Sequence, residues 1–359
     1  MVSALLREWR GAVELDVTVD GECVRALAYP ELTGRPEPGD RVLLNTSALA
    51  LGLGTGGYAL VVAVPDRLPA DPSGPGHLVK ARYTPLQATV LGADEQGSPY
   101  HDTLREADDL GGMPVVVADL HSALPAVLAP LFAGRPAGGG TPVRAVYVML
   151  DGGALPAWFS RTAASLREAG WLAATVTVGQ AFGGDLEAVT VHTGLLAARH
   201  VLGADVAVVA QGPGNLGTGT RWGFSGVAAG EAVNAAAVLG GIPVAALRIS
   251  AADPRERHRG VSHHSLTSYG RVALARADVV VPDLPGEFGA SVAAQAAPLA
   301  ARHHLVRVSV AGLEDTLRAS PVRLRTMGRG LDEDLAYFLA AAAAGRHAAH
   351  LLGREAISR

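Results

Sequence analysis

Residues 205–224 read DVAVVAQGPGNLGTGTRWGF. The first seven are apolar almost without a break, which fits a strand covered on both faces rather than one with a wet face. A glycine-rich loop follows at once. The same pattern of an apolar run ending in polar or glycine residues recurs at 114–119 (PVVVAD), 143–150 (VRAVYVML), 172–178 (LAATVTV), 242–250 (IPVAALRIS), 278–282 (DVVVP) and 305–310 (LVRVSV). Helix-like stretches at 156–170, 187–202, 225–240 and 286–302 separate them. Seven buried strands alternating with helices predict a doubly wound, mostly parallel α/β sheet, assigned to residues 101–359. Upstream the rhythm differs. Runs at 13–19, 23–29, 40–46, 58–64, 77–83 and 86–92 are short and separated by glycine, proline and aspartate turns, GLGTGGY (52–58) among them. They predict a small all-β barrel or sandwich over residues 1–100. GRPAGGGTP (134–142) reads as a flexible connector.

Composition narrows the function classes. The chain has 359 residues, 49% hydrophobic and 18% charged, with a net charge of −4. Such a balance argues against a nucleic-acid-binding surface. No uninterrupted apolar run reaches membrane-spanning length. The nearest, FLAAAAAGRHAAHLL (338–352), is broken by Gly345, Arg346, His347 and His350 and reads as a buried or partner-facing helix; its alanine-rich face suggests a homo-oligomer. Cys23 stands alone, so no intrachain disulfide framework exists, and it is expected to be buried. No secretion signal is visible, so the chain reads as cytoplasmic. Lys80 is the only lysine among 30 basic residues, so an arginine at any position carries less weight than usual.

Open parallel sheets bind ligands beyond the C-terminal ends of their strands. Asp119 and His121 follow the first strand of the α/β unit, Asp151-Gly152-Gly153 the second and Gly179-Gln180 the third. Gly212, Gly214 and Gly217 match G-x-G-x-x-G after the fourth. No acid ends the next strand to hold a ribose, and no phosphate-binding G-K-[ST] occurs, so NAD and flavin are not expected. A backbone nest for a small anion is the better reading, with Thr218, Gly219, Thr220 and Arg221 adding donors. After the fifth strand comes SAADPRERHRGVSHHSLTS (250–268). Arg255, Arg257 and Arg259 alternate, so an extended segment puts them on one side, suited to a phosphate or carboxylate. Ser262 is placed to cap a helix running to about 277. His263 and His264 then diverge by about 100°, which predicts that one of them, not both, is the chemical group, with Asp151 orienting its partner. A divalent metal, whose expected ligands are Asp119, His121 and His258, fits a shell of histidine and carboxylate groups.

GPGNLGTGTRWGF, RISAADPRERHRGVSHHSLT and TMGRG, with GDRVLLNTSALALGLGTGGY near the start, resemble a bacterial protein family known only as a domain of unknown function. The resemblance spans nearly the whole chain and implies no activity. RTMGRG (325–330) itself reads as a cap on the last helix, or else as a phosphate contact reaching the rim. Three functions compete: a hydrolase or group transferase acting on a small anionic or phosphorylated metabolite, a non-catalytic nucleotide- or metabolite-binding regulator, and an assembly protein whose charged loop lies at an oligomer interface.

Overall fold

The computed structural model describes residues 1–71, 74–132 and 143–357; the 134–142 connector lies outside them. The chain opens with β1 (Val2–Trp9), β2 (Ala12–Val19), β3 (Glu22–Ala28), β4 (Leu43–Asn45) and β5 (Ala59–Ala63), joined in one sheet in the order β1-β2-β3-β5-β4. Val13, Leu15 and Val17 of β2 alternate inward to meet Ala26, Ala28, Ala59 and Val61 in a small core, as the two-residue period of a strand requires. The expected β unit is thus a five-stranded sheet, and β1 and β4 at its edges share no ladder. Sequence reading missed β1 because its pairing slips between Val2 and Ala4 and again between Leu5 and Glu8, which destroys simple alternation. Cys23, expected inside, is exposed. A separate hairpin, β6 (Leu78–Lys80) and β7 (Ala88–Val90), follows.

The second sheet is built from β8 (Pro114–Val117), β9 (Ala145–Leu150), β10 (Ala174–Thr177), β11 (Leu186–Glu187), β12 (Val206–Gln211) and β13 (Ile242–Ala246). After a small hairpin of β14 (Ile249–Ser250) and β15 (Gly260–Val261), it is completed by β16 (Asp278–Asp283) and β17 (His304–Ser309). The eight strands run in the order β11-β10-β9-β12-β8-β13-β16-β17, and every pairing is parallel. Neighbouring residues feed opposite cores. Val115, Val117, Val146, Val148, Ala207 and Val209 pack with the helices Val191–Leu196, Ala228–Val238 and Gly286–Ala296. Val116, Tyr147, Met149, Val206, Val208 and Val244 pack with Leu124–Phe132, Arg161–Glu168 and Leu335–Ile357. Burial on both faces explains why these strands read as continuous apolar runs.

The connections from β8 to β9 and from β12 to β13 each leap one strand. The chain therefore fans outward in both directions from the centre of the sheet, where the C-terminal ends of β9, β12, β8 and β13 lie side by side. That is the kind of crevice in which open sheets bind ligands.

Much of the C-terminal helix lies in the core. Phe338 and residues 342–344 are fully buried within the chain. At Gly345 a Cβ would lie 1.9 Å from the Val127 carbonyl oxygen, so only glycine permits this approach of the two helices. No described helix is long and apolar enough to cross a membrane.

Lys80 ties the β6–β7 hairpin to the large sheet. Its buried ammonium donates to the carbonyls of Thr177, Ala181 and Ala188 at 3.1, 2.7 and 3.0 Å and to Glu187 Oε2 at 2.8 Å. Burial pulls its pKa down and Glu187 opposes that shift. Lys80→Met leaves Glu187 charged and buried. It is expected to cost about 3–5 kcal/mol, measured by urea unfolding; a loss under about 1 kcal/mol would show that the tie is not structural. At the opposite end of the sheet His347 donates to Asp278 at 2.7 Å, and this hydrogen bond holds the Asp278 carboxyl below its ordinary value against the effect of burial. A carboxyl lowered on folding stabilises above its unfolded pKa, and that contribution is lost as pH falls through the folded value. Stability should therefore drop on acidification below about pH 4, less steeply in Asp278→Asn, as denaturation midpoints across that range will show.

Candidate functional site

Beyond β13 the apolar run is broken by Arg248. Its backbone is pinned: the N–H donates to Ser265 Oγ at 2.9 Å and the carbonyl accepts from the Ser262 N–H at 2.8 Å. Its guanidinium is buried, 3.7 Å from Asp119 Oδ2 and 3.8 Å from Asp253 Oδ2. Asp253 is fully buried and anchors the charged loop. It accepts the Arg255 backbone N–H, both arms of the Arg255 guanidinium at 2.9 Å, and Arg329 at 3.3 Å. Burial alone would raise the Asp253 carboxyl; the Arg255 hydrogen bonds and charge outweigh it and hold the group well below the usual range. Asp334 accepts from Ser250 Oγ at 2.6 Å and from Arg329 at 3.0 Å. RTMGRG is therefore no helix cap. It forms a tight turn between β18 (Arg325–Thr326) and β19 (Arg329–Gly330) that delivers Arg329 to both acids.

This frame presents three histidines. His258 ends a one-turn helix, Glu256–His258, and His263 and His264 begin the helix His263–Thr267. Ser262 caps that helix, its Oγ accepting the His264 N–H at 3.2 Å while bonding His258 Nδ1 at 2.7 Å. The ring centroids lie 5.0, 4.8 and 4.5 Å apart. One ring nitrogen from each falls within 4.8 Å of the others. The 100° divergence expected of His263 and His264 does not separate their rings, whose centroids are 4.5 Å apart. Side chains in the first turn lean past the N-terminal end of the helix. His258 sits beyond that end, so divergence about the axis does not keep the rings apart.

The His264 ring stacks on Phe224 with centroids 3.7 Å apart. Its Nδ1 lies 3.2 Å from the Arg248 guanidinium and 3.4 Å from Asp119 Oδ2. Burial, reinforced by Arg248 and Arg255, pushes His258 down to about 3. Burial, then His264 and Arg257, pushes His263 down to about 4. Both are neutral imidazoles at pH 7. Asp119 is raised by burial, but His264 and Arg248 outweigh this and keep it below its ordinary value, ionised. Asp119 does not cap the next helix, whose N-terminal flank is Leu120. Asp119 Oδ2, His263 Nε2 and Gln211 Oε1 are buried atoms without a hydrogen-bond partner. Gln211 Nε2 meanwhile donates to the Asp119 carbonyl at 2.9 Å.

His263 also lines a groove of about 730 Å³, with Gly219, Arg221, Arg257, Thr267 and Arg271 among its walls. This is within the usual size of small-molecule sites. Arg221, Arg257 and Arg271 are exposed, and their side chains make no hydrogen bond or ion pair among the described residues. None of the described residues lining the groove is acidic.

The remaining expected residues lie elsewhere. His121 is buried between the Tyr147 hydroxyl at 3.0 Å and Ser160 Oγ at 2.7 Å, pushed down to about 4 by burial, and is not in the histidine cluster. Asp151 accepts the Gln180 N–H at 2.8 Å and does not line the groove. Gly212 packs against the 152–154 segment, where a Cβ would lie 2.4 Å from the Ala154 carbonyl oxygen. Gly217 bridges to Phe224, and Thr218 and Thr220 bond each other and Gly223, closing a turn ahead of the helical segment that begins at Ser225. Gly214 adopts φ +86° in open space. Of this loop's expected anion binders, Gly219 and Arg221 reach the groove, and a Cβ at Gly219 would lie 3.6 Å from Arg257. Arg259 is exposed and unpaired among the described residues.

A family described as "Protein of unknown function (DUF3866)" matches residues 25–345. The chain belongs to the DUF3866 family. No curated protein matches it, and no solved structure does. In this DUF3866 chain sequence reading overlooked Arg248, Phe224, Arg271, Arg329 and Asp334. Arg248 had a signal, a charge inside an otherwise apolar run; Asp334 and Arg329 had none, because the partners that tie them to the site, Ser250 and Asp253, are 84 and 76 residues away.

Asp253→Asn removes the charge that three arginines share and is expected to destabilise the protein by about 3–5 kcal/mol. Arg259→Ala, in the same loop but unpaired, should stay within about 0.5 kcal/mol. Chemical denaturation of the two variants side by side checks the contrast.

Proposed function

We propose that the protein is a hydrolase or group transferase acting on a small anionic, phosphorylated metabolite held in the groove beside His263. The lining of that groove carries the reading: three arginines without partners, no acid, and a neutral histidine among them. Guanidinium groups recognise phosphate oxygens through paired, charge-assisted hydrogen bonds. The adjoining imidazole cluster activates the attacking oxygen, from water or an acceptor hydroxyl. That oxygen bonds to phosphorus as the bond to the leaving oxygen breaks, and the proton it gives up is matched by one taken up by the leaving group. The glycine loop supports this site through Gly219 and Arg221 rather than as a dinucleotide fingerprint.

A panel of small phosphoesters, assayed with and without divalent metals, tests the reading. Turnover is expected, with Arg257→Ala raising KM roughly ten- to a hundredfold, the worth of a hydrogen bond to a charged group. His263→Gln should lower kcat by about 10²–10⁴. Saturable phosphoester binding that Arg257→Ala abolishes, with no turnover across the panel, would instead make the protein a sensor. Absence of both binding and turnover would overturn the anion-site reading.

A further inference from the structure

We propose that His258, His263 and His264 form a binding centre for one divalent transition metal of the imidazole-preferring class, zinc foremost, with Asp119 as the residue that positions His264. This deepens the reading above by naming the cofactor of that site, but it rests on observations that do not involve substrate.

The first is convergence. The three ring nitrogens lie within 4.8 Å of one another. Zinc–nitrogen bonds of about 2.0–2.1 Å place tetrahedral ligand atoms about 3.4 Å apart, so small ring rotations complete the set. The second is the chemistry of the donor set: three imidazoles suit zinc and its first-row neighbours.

The third is the shell behind them. Metal-bound histidines commonly engage their other ring nitrogen with a carboxylate or another oxygen, which fixes the tautomer. His258 Nδ1 is bonded to Ser262 Oγ at 2.7 Å. His264 Nδ1 faces both the Arg248 N–H and Asp119 Oδ2. One nitrogen cannot serve both partners. While it accepts from Arg248, the ring proton sits on Nε2 and Asp119 Oδ2 is left without a partner, although Asp119 is only 4% exposed. A metal at Nε2 displaces that proton, moves the ring to its Nδ1–H tautomer and gives Asp119 Oδ2 its missing donor. His263 Nε2, buried and unpartnered, gains the metal itself. A single ion thus satisfies two of the buried polar atoms that the polypeptide leaves open. Charge is consistent with this. Asp119, Asp253 and Asp334 match Arg248, Arg255 and Arg329 one for one, so the buried frame behind the histidines adds no net positive charge. Three protein ligands leave one position for water, whose pKa such an ion lowers to about 7, next to the arginine-lined groove.

The test uses the full chain, stripped with chelator and titrated with Co²⁺ and then Zn²⁺. Saturable binding of one Co²⁺ per chain is expected, with visible ligand-field bands of a low-coordinate histidine site that one equivalent of Zn²⁺ abolishes. His263→Ala and His258→Ala should weaken binding by at least tenfold, and Asp119→Asn by roughly ten- to a hundredfold with stoichiometry retained. His304→Ala, an exposed histidine on β17, should leave affinity unchanged. Circular dichroism confirms folding; should His258→Ala fail to fold, the partly exposed His263 variant and the wild-type Co²⁺ spectrum decide. No stoichiometric ion in the wild type, or equal affinity in His263→Ala, would overturn the centre. Metal bound without turnover of any phosphoester would leave the centre standing and defeat the enzymatic reading. Turnover indifferent to chelation would do the reverse.

Discussion

Arg248 places a guanidinium that cannot shed its charge in the interior, between two carboxylates contributed by distant parts of the chain. An isolated buried charge would be intolerable, so Asp119, at the end of β8, and Asp253, in the loop after β14, must be brought to it. That demand sets the course of the chain from 248 to 265. The β14–β15 hairpin keeps the loop short, and Ser262 and Ser265 bond to the Arg248 backbone. Arg329 and Asp334 close the frame from the C-terminal region. The charged crowd in the sequence is thus two populations. Arg255 and Asp253 are internal scaffolding, while Arg257 and Arg259 are left to solvent.

The same frame explains how three histidines come to share a small volume. A five-residue helix and a single turn have little rigidity of their own. Their placement comes from the tertiary fold: Phe224 under His264, Ser262 between His258 and the helix, and Tyr269, whose hydroxyl reaches the carbonyls of Val117 and Ala246 at the ends of β8 and β13. The sheet supplies a central crevice because β8 and β12 are interleaved between strands that the chain reaches by leaping. The proposed site lies where the two halves of the sheet diverge.

Much of the architecture was legible. Strands buried on both faces must be apolar along their length, so their positions showed as unbroken runs, and their polar ends marked the rim. The short β11 was missed because two residues carry no period, and β1 because its bulges scramble one. At the site, Asp119, His258, His263 and His264 were recognisable as residue types in the right loops. Their grouping was not. His121, two residues from Asp119, was expected with the metal ligands, yet its ring is turned to Tyr147 and Ser160 inside the core. Within the G-x-G-x-x-G spacing, Gly212 is required by close backbone packing against Ala154.

By itself, then, the sequence determined the parallel α/β layering and the rim to which polar groups gather, because hydrophobic patterning is local and repeats along the chain. Only the tertiary structure decided which histidines converge, which arginines are consumed in buried ion pairs and which remain free for a ligand. Those outcomes depend on contacts such as Arg248 with Asp119, and Arg329 with Asp253, between residues far apart in sequence. No spacing rule encodes them, and the need to neutralise buried charge fixes them once the chain is folded.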